Sequence, residues 1–515
     1  MLYDALFSSV QSHIISHDLA RSRNSIFRRG RSHLVVLLSI IAFFYVGTIR
    51  SGHVWGDDFA MYVHHARNIV EGRPYADTGY IYNPAVPVYG PRTYPPVFPL
   101  MLAPLYRAFG MNLIPMKLEQ VILFVLTLLI VYRFWEPDLP PAYLLALVAI
   151  LGFNPQFWAA KDMVLSDLPF LFFFYLAALL WRLAPHHGRH WWLWAIGSGM
   201  VVALAVGTRS AGVALVAGIL LYDLIQFRKI TRFTAVALAV WLASQLLQSR
   251  LSGSGAGSYL GQHVRPSSQT IALNLLEYSR ALAGFWVAST QNAFSFLLLG
   301  VVLILAAAGL FFQYKRGFTI LEAFLVPYLG VMLLWPFAIG IRAMFPLIPW
   351  MVFLALLGLQ GFAEKIQPKY SSAAAWALLI SIAVPYLFAY HKTDFGPIHQ
   401  DVGSSEFTRL CDAVRTDTDP HDVLIYYRAR ALSLYTGRAA STYNSLGSEL
   451  ELSGYVRNIH AAYLVTTTAF SDDHGFLADY VRRHSSTLEL AYQNPTFRLY
   501  RVHQPELLTA TGSPQ

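Results

Sequence analysis

Residues 33–62 read HLVVLLSIIAFFYVGTIRSGHVWGDDFAMY, an apolar run that passes into an acidic pair. The run over residues 33–49 approaches the roughly 20 apolar residues that a helix needs to cross a membrane. No small-residue cleavage site follows it, so the pattern favours a retained signal anchor over a cleaved signal peptide. Residues 1–32 are predicted to be cytoplasmic because five arginines precede the run, namely Arg21, Arg23, Arg28, Arg29 and Arg31.

The composition of the whole chain also indicates that lipid surrounds much of the fold. Of its 515 residues, 55% are hydrophobic and 13% are charged, whereas about 25% are charged in an average soluble domain. The single cysteine, Cys411, excludes an internal disulfide scaffold and a cysteine-rich metal site. The formal net charge of +9 is explained better by basic cytoplasmic loops than by nucleic-acid binding.

Further apolar runs are centred near residues 126, 148, 174, 199, 218, 240, 304, 328, 352 and 381. With the first run they predict about eleven transmembrane helices, so the fold class is a mainly α polytopic membrane protein. The short connections on one side are basic and should be cytoplasmic. The long segments 51–117, 249–294 and 391–515 should lie on the opposite side, and a glycine- and serine-rich linker is expected over residues 252–258.

The segment 391–515 is more polar and has no long apolar run, which predicts a small extracytoplasmic α/β domain. Short strands are expected over residues 423–427, 462–466, 488–492 and 496–502. Helices are expected over residues 405–415 and 476–484.

The first outer loop, residues 51–117, carries two amphipathic patterns that are too short to span a membrane. The first follows Asp57 and Asp58, either of which could cap a helix. The second must begin after Pro95-Pro96, because proline cannot continue a helix from upstream, and it should end near Gly110.

These motifs carry a resemblance to a known family. An acidic residue four before Tyr62, then Ala66-Arg67-Asn68, Glu71-Gly72 and the Pro95-Pro96 helix resemble the GT-C glycosyltransferases of the protein O-mannosyltransferase and lipid A aminoarabinose transferase type. The resemblance covers residues 33–360 and implies a catalytic transmembrane domain over residues 33–390. It also implies a sugar donor linked to polyprenyl phosphate, with an aspartate of the first outer loop at the reacting centre.

In this resemblance the catalytic aspartate corresponds to Asp58, with the adjacent Asp57 as the alternative. An inverting transfer needs a base that takes the proton of the acceptor hydroxyl, and a placed carboxylate contributes about 10²–10⁴-fold. The groove for the substrate would be lined by residues of the first outer loop, namely Tyr62, Arg67, Tyr94, Pro95 and Pro96.

Asp167 opens an almost wholly apolar helix, where an acidic side chain is costly unless it is paired or functional. The resemblance makes it a second acidic position that supports the acceptor or the base, and a helix cap is the alternative. No metal site is assigned, although a divalent ion held by Asp58, Asp162 and Asp167 is left open. Lys161 is either a phosphate ligand or an interfacial lysine.

Arg209 and Arg342 both fall on the outer side of the predicted topology, where the positive-inside rule does not require them. Guanidinium groups match phosphate oxygens in a two-pronged geometry. Both residues are therefore predicted to hold the donor phosphate. An ion pair with Asp162 or Asp167, or anchoring at lipid head groups, is the alternative.

The leading hypothesis is a membrane glycosyltransferase that moves a sugar from a polyprenyl-phosphate donor to an extracytoplasmic protein, lipid or glycan acceptor. It would reside in a bacterial inner or plasma membrane. A transporter or lipid flippase is one alternative, although such proteins place ionisable residues near the midplane and often contain repeats. A non-catalytic protein of cell-envelope assembly is another, and a membrane glycan polymerase or ligase is a third. The sugar, the acceptor and the oligomeric state are not decided by the sequence.

Overall fold

A computed structural model describes residues 30–184, 188–252, 267–287, 293–398, 402–470 and 473–503. The fold is mainly helical, as predicted. Within these ranges six helical segments are long and apolar enough to cross a membrane. They are Gly30–Gly47 (α1), Leu113–Trp135 (α4), Trp191–Thr208 (α8), Ser210–Phe227 (which contains α9, Val213–Phe227), Ala293–Arg316 (α12) and Pro368–His391 (which contains α16, Ser371–His391).

The other helices of the membrane part are shorter or more polar. They are Pro141–Gly152 (α5), Pro155–Ala160 (α6), Asp167–Leu183 (α7), Arg232–Ser252 (α10), Ser268–Val287 (α11), Ile320–Leu333 (α13), Ile341–Met344 (α14) and Ile348–Ile366 (α15). Every predicted span centre falls inside a helix, but the number of eleven crossings stays a prediction because fewer helices meet the length criterion.

The segment 249–294, which the sequence predicts to lie on the outer side, contains the helix α11, which was not predicted. The helix is amphipathic: Asn274, Glu277 and Arg280 interrupt what would otherwise be an apolar run. Asn274 donates hydrogen bonds from Nδ2 to the backbone oxygens of Leu333 at 3.0 Å and Trp335 at 2.7 Å. The helix is therefore held against the loop that follows α13. The predicted linker over residues 252–258 lies almost wholly outside the described residues.

The first outer loop contains Asp57–Glu71 (α2), Tyr80–Ile81 (β1) and Val97–Phe109 (α3). Helix α3 begins after the two prolines and is followed by Gly110, as the sequence predicts. Helix α2 begins after Gly56 and has no side-chain cap. The expectation that Asp57 or Asp58 caps α2 is therefore wrong, and both carboxylates are directed elsewhere.

The C-terminal region contains a mixed sheet with helices on both faces. Its helices are Ser405–Asp417 (α17), Ala429–Thr436 (α18), Glu449–Asn458 (α19) and Ala478–Arg483 (α20). Its strands are Val423–Ile425 (β2), Ala439–Ser441 (β3), Ala461–Thr467 (β4), Leu488–Gln493 (β5) and Phe497–Val502 (β6). Strands β2, β4, β5 and β6 and helices α17 and α20 fall in the predicted segments, whereas β3, α18 and α19 were not predicted.

The first outer loop and the C-terminal region form one sheet. The strand order among the described residues is β1-β3-β2-β4-β6-β5, and β1 pairs in parallel with β3 through Tyr80↔Ala440 and Ile81↔Ser441. One face of the sheet packs on α2, α3 and α18 in a core that contains Phe59, Phe98 and Leu432. The loop and the C-terminal region must consequently lie on the same side of the membrane.

Candidate active site

Four charged residues from four separate segments meet beneath the first outer loop. Asp58 lies at the start of α2, Asp167 starts α7, Arg209 follows the end of α8, and Arg342 lies in α14. We call these four residues the open cluster. The sequence predicted each member, and only the tertiary structure brings residues so far apart in the chain together.

Arg342 bridges the two carboxylates of the open cluster. Its Nη2 lies 3.6 Å from Oδ2 of Asp58, and its Nη1 lies 3.4 Å from Oδ2 of Asp167. Arg209 donates from Nη1 to Oδ1 of Asp167 at 2.5 Å. Two positive charges therefore balance two negative charges at the mouths of the spans, which is the arrangement that makes ionised groups tolerable there.

Asp58 has two further polar partners. Tyr94 donates its hydroxyl to Oδ1 at 2.6 Å, and Nη1 of Arg430 lies 3.3 Å from the same oxygen. Burial by itself would raise the pKa of Asp58, but the charges of Arg342 and Arg430 and the hydrogen bond from Tyr94 outweigh it. The net effect is a lowered pKa, so Asp58 is ionised at neutral pH.

Two tyrosines of the first outer loop form one wall of the site. The rings of Tyr62 and Tyr94 stack with centroids 4.8 Å apart, and the Tyr62 hydroxyl hydrogen-bonds to Oγ of Ser166 at 2.8 Å. Asp58 and Arg209 line a cavity together with these tyrosines. Its remaining lining residues are Pro95, Thr208, Ser210, Ala211, Met332, Trp335 and Ile339.

Asp57 and Asp58 are adjacent in the chain but have different hydrogen-bond partners. The two carboxylate oxygens of Asp57 accept hydrogen bonds from the backbone amides of Arg430 and Ala431, at 3.3 and 3.2 Å. Asp57 thus caps the start of α18 in the C-terminal region, and burial raises its pKa. The alternative that Asp57 is the reacting carboxylate loses support, because both of its oxygens are directed at this helix.

Lys161 and Asp162 lie in a second, closed cluster with Lys117. Lys161 donates from Nζ to Oδ2 of Asp162 at 2.6 Å and lies over the ring of Trp158. Lys117 donates to the backbone oxygens of Arg50 and Gly52, both at 2.6 Å. Both lysines are 0% exposed. The structure therefore places Lys161 away from the cavity, and its assignment as a phosphate ligand is withdrawn.

The remaining predicted residues have separate positions. Arg67 pairs with Glu71 one turn further along α2, at 2.9 Å, and Pro96 precedes the first turn of α3. Neither lines the cavity, so they are corrected as groove residues. The described part of the chain contains no group of three His, Cys, Asp or Glu side chains that could hold a metal ion, so Asp58, Asp162 and Asp167 do not form one.

Arg430 is the site residue that sequence reasoning missed. It lies far along the chain, at the start of α18, and donates from Nη1 to the Tyr94 hydroxyl at 2.7 Å and from Nη2 to the Pro91 oxygen at 2.9 Å. Its side chain is only 1% exposed. The sequence signal that could have indicated Arg430 is its position soon after a short apolar strand. An arginine that is buried there requires anionic or polar partners.

Comparisons with known proteins relate the chain to one family model and to several solved structures. The family model described as dolichyl-phosphate-mannose-protein mannosyltransferase matches residues 93–247, a span that includes Tyr94, Asp167 and Arg209. No curated protein matches the chain.

Solved structures match over most of the chain. ArnT from Cupriavidus metallidurans in the apo state has a TM-score of 0.58 at 13% identity, covering 94% of this chain and 99% of that chain. The Archaeoglobus fulgidus oligosaccharyltransferase AglB has a TM-score of 0.54 at 12% identity, covering 85% and 69%. The arabinofuranosyltransferase AftD from Mycobacteria has a TM-score of 0.52 at 13% identity, covering 92% and 42%.

These likenesses define the class: the chain is a multi-pass membrane protein with the GT-C fold. The resemblance inferred from the first outer loop is thereby confirmed at the level of fold. Within that class, the matching family model is the one for mannosyltransferases that use a lipid-linked donor. The family model favours a membrane glycosyltransferase over the transporter or the assembly protein.

Proposed function

We propose that this protein transfers one sugar from a polyprenyl-phosphate donor to an acceptor on the extracytoplasmic side of the membrane, with inversion at the anomeric carbon. The observation that carries the proposal is the convergence of Asp58, Asp167, Arg209 and Arg342 in one ion-paired cluster, of which Asp58 and Arg209 line the cavity. A transporter needs ionisable groups along a path through the membrane, whereas these four residues meet at the mouths of their spans.

The two arginines supply the charge that a lipid-phosphate leaving group requires. A phosphate develops negative charge as the glycosidic bond breaks, and fixed cations stabilise it most where water is excluded. Arg209 and Arg342 each hold Asp167 in this structure. A donor phosphate would take the same guanidinium edges, because carboxylate and phosphate oxygens present similar geometry to arginine. Related chains support this class of donor: ArnT is known with undecaprenyl phosphate and AglB with a dolichol-phosphate.

Asp58 is the base in this proposal. Its lowered pKa keeps it ionised at neutral pH, which is the form in which a carboxylate can act as a base. The acceptor hydroxyl oxygen forms a bond to the anomeric carbon, the bond between that carbon and the phosphate oxygen breaks, and Asp58 takes the hydroxyl proton. The polyprenyl phosphate leaves with the electron pair. Tyr94 and Arg430 hold the Asp58 carboxylate from behind, and Asp167 orients the arginines.

The same proposal includes the topology. The N-terminus would be cytoplasmic, about eleven helices would cross a bacterial inner or plasma membrane, and residues 391–515 would form an extracytoplasmic domain. The pairing of β1 with β3 supports this arrangement, because it requires the first outer loop and the C-terminal region to share one side. If the N-terminus lies on the opposite side, the number of membrane crossings between it and residue 391 must be odd.

The Asp58→Asn variant tests the proposal in detergent or nanodiscs. We expect it to bind undecaprenyl phosphate as the wild type does, and to lose about 10²–10⁴-fold in transfer from a panel of radiolabelled monosaccharides linked to undecaprenyl phosphate. The matched control is Asp57→Asn, which keeps one of the two acceptor oxygens for the amides of α18 and should retain transfer within a few-fold.

Full turnover in Asp58→Asn would exclude Asp58 as the base. Uptake into sealed vesicles without any sugar-linked product would favour the transporter instead.

A further inference from the structure

A second concave site lies on the outer part of the molecule, at the junction between the first outer loop and α19. It is an open groove of about 960 Å³. One wall comes from the segment after β1 and the other from α19 and the loop before it. The lining residues are Asn83, Ala85, Tyr443, Asn444, Glu451, Leu452, Gly454, Tyr455 and Asn458.

The groove is held in shape by hydrogen bonds from both walls. Asn83 donates from Nδ2 to the backbone oxygen of Thr442 at 2.9 Å, which fixes the loop against the end of β3. On the other wall, Ser448 and Glu451 form a capping box at the start of α19. Such a box fixes the direction of a helix, so the groove exists before any ligand arrives.

The groove and the catalytic cavity lie on opposite faces of the sheet. Side chains alternate between faces along a strand. Tyr80 of β1 is directed at Arg430, whose guanidinium carbon lies 4.6 Å from the ring centroid. The next pair along these two strands is Ile81 and Ser441, whose side chains lie on the opposite face from Tyr80. The Ser441 hydroxyl lies 2.6 Å from the hydroxyl of Tyr455 in α19. The groove is therefore a separate site and not an extension of the cavity at Asp58.

The chemistry of the lining identifies a ligand class. The side-chain amides of Asn444 and Asn458 offer hydrogen-bonding groups, Glu451 offers a carboxylate, and the half-buried Tyr455 offers an aromatic ring. A sugar has the matching features, because its hydroxyl groups both donate and accept hydrogen bonds and its C–H faces pack on aromatic rings. Glu451 is the only charged lining residue, so a neutral sugar or an amino sugar fits better than a uronic acid.

We infer that this groove binds a neutral or amino-sugar saccharide chain on the extracytoplasmic side. The inference rests on the proposed function only for the side of the membrane on which the groove lies, because saccharide binding in the groove needs no catalysis. It would hold part of a glycan that is remote from the reacting hydroxyl.

Gly454 offers a direct way to block the groove. A Cβ atom added at Gly454 meets nothing within 4 Å, and an ordinary helical position accepts other residues without strain. Gly454→Phe should therefore fill the groove while α19 stays folded, and Gly454→Ala is the matched control. Glu451→Gln removes the charge but keeps an acceptor for the capping box, with the exposed Glu489→Gln on β5 as its control.

The experiment uses the full-length protein in fluorescent nanodiscs on an array of neutral, amino-sugar and uronic-acid oligosaccharides. We expect the wild type and Asp58→Asn to retain neutral or amino-sugar chains, and Gly454→Phe to lose at least tenfold in retention while Gly454→Ala and Glu489→Gln do not. Absence of retention by the wild type, or equal retention by Gly454→Phe, would overturn the inference. Retention that survives in Asp58→Asn separates this outcome from that of the transfer assay, so each proposal can fail without the other.

Discussion

The open cluster and the closed cluster contain the same kinds of charge, yet their surroundings differ. In the open cluster the side chains of Asp58 and Arg342 are 37% and 29% exposed, and Asp58 lines the cavity. In the closed cluster Lys117 is 0% exposed and donates to two backbone oxygens, while Asp162 is 6% exposed and held by Lys161.

This difference separates a site that can exchange partners from one that cannot. A guanidinium shared by two carboxylates can give up one of them to a phosphate at little cost, because the other still balances its charge. A buried ammonium that is bonded to backbone oxygens has no such replacement, and removing a partner leaves a buried group uncompensated. Charge alone therefore does not identify a functional site, since access and replaceable partners are also needed.

The largest expected effect is on stability, at the closed cluster. Lys117→Met removes the donor to the backbone oxygens of Arg50 and Gly52 and one positive charge beside Asp162. We expect the free energy of unfolding to fall by about 3–5 kcal/mol, measured by denaturation in detergent. The affinity of the remaining folded protein for undecaprenyl phosphate should be unchanged. A loss of affinity without a loss of stability would mean that the closed cluster belongs to the donor site.

A smaller effect is expected on donor binding, at the open cluster. Arg342→Ala removes a charged hydrogen-bond donor, which is worth about 1.5–3 kcal/mol. The Kd for undecaprenyl phosphate should rise about 10–100-fold, as measured by displacement of a labelled lipid, with little change in stability. Arg67→Ala is the matched control, because Arg67 pairs with Glu71 and does not line the cavity. An unfolded Arg342→Ala protein, or one with intact affinity, would make Arg342 a structural residue.

The smallest effect concerns the support behind the open cluster. His65 is fully buried, its Nδ1 lies 2.8 Å from the backbone oxygen of Tyr75, and its Nε2 lies 3.3 Å from the backbone nitrogen of Tyr94. These two contacts fit a neutral ring that donates from Nδ1 and accepts at Nε2. Burial lowers the pKa of His65 to about 3, so protonation favours the unfolded chain.

Because the unfolded pKa is about 6.5, the stabilisation by neutral His65 is complete above that value and is lost as pH falls towards 3. We expect its contribution to the free energy of unfolding to decrease by about 0.7 kcal/mol between pH 7 and pH 6. His65→Gln should reduce this slope in denaturation experiments at the two pH values. An unchanged slope would show that His65 is not the group that titrates.

Local sequence patterns were sufficient to predict much of the fold and several residues of the site. The apolar runs predicted the positions of the helices, and the proline pair predicted the start of α3. Helix α11 was missed because Asn274, Glu277 and Arg280 interrupt its apolar face. Arg430 was missed because nothing near it in the chain shows that it reaches back to Asp58 and Tyr94.

By itself the sequence determined the membrane class, the helical pattern and the charged residues at the outer ends of the spans. These features depend on residues close together in the chain, since hydrophobic length and helix capping are local properties. Only the tertiary structure showed that Asp57 caps α18, that Lys161 is paired with Asp162 and that Arg430 reaches Asp58. The physical reason is that a carboxylate or an ammonium obtains its role from its partners. Asp57 and Asp58 meet α18 only because the first outer loop packs on the C-terminal sheet, whereas Lys161 is paired with its neighbour in the chain.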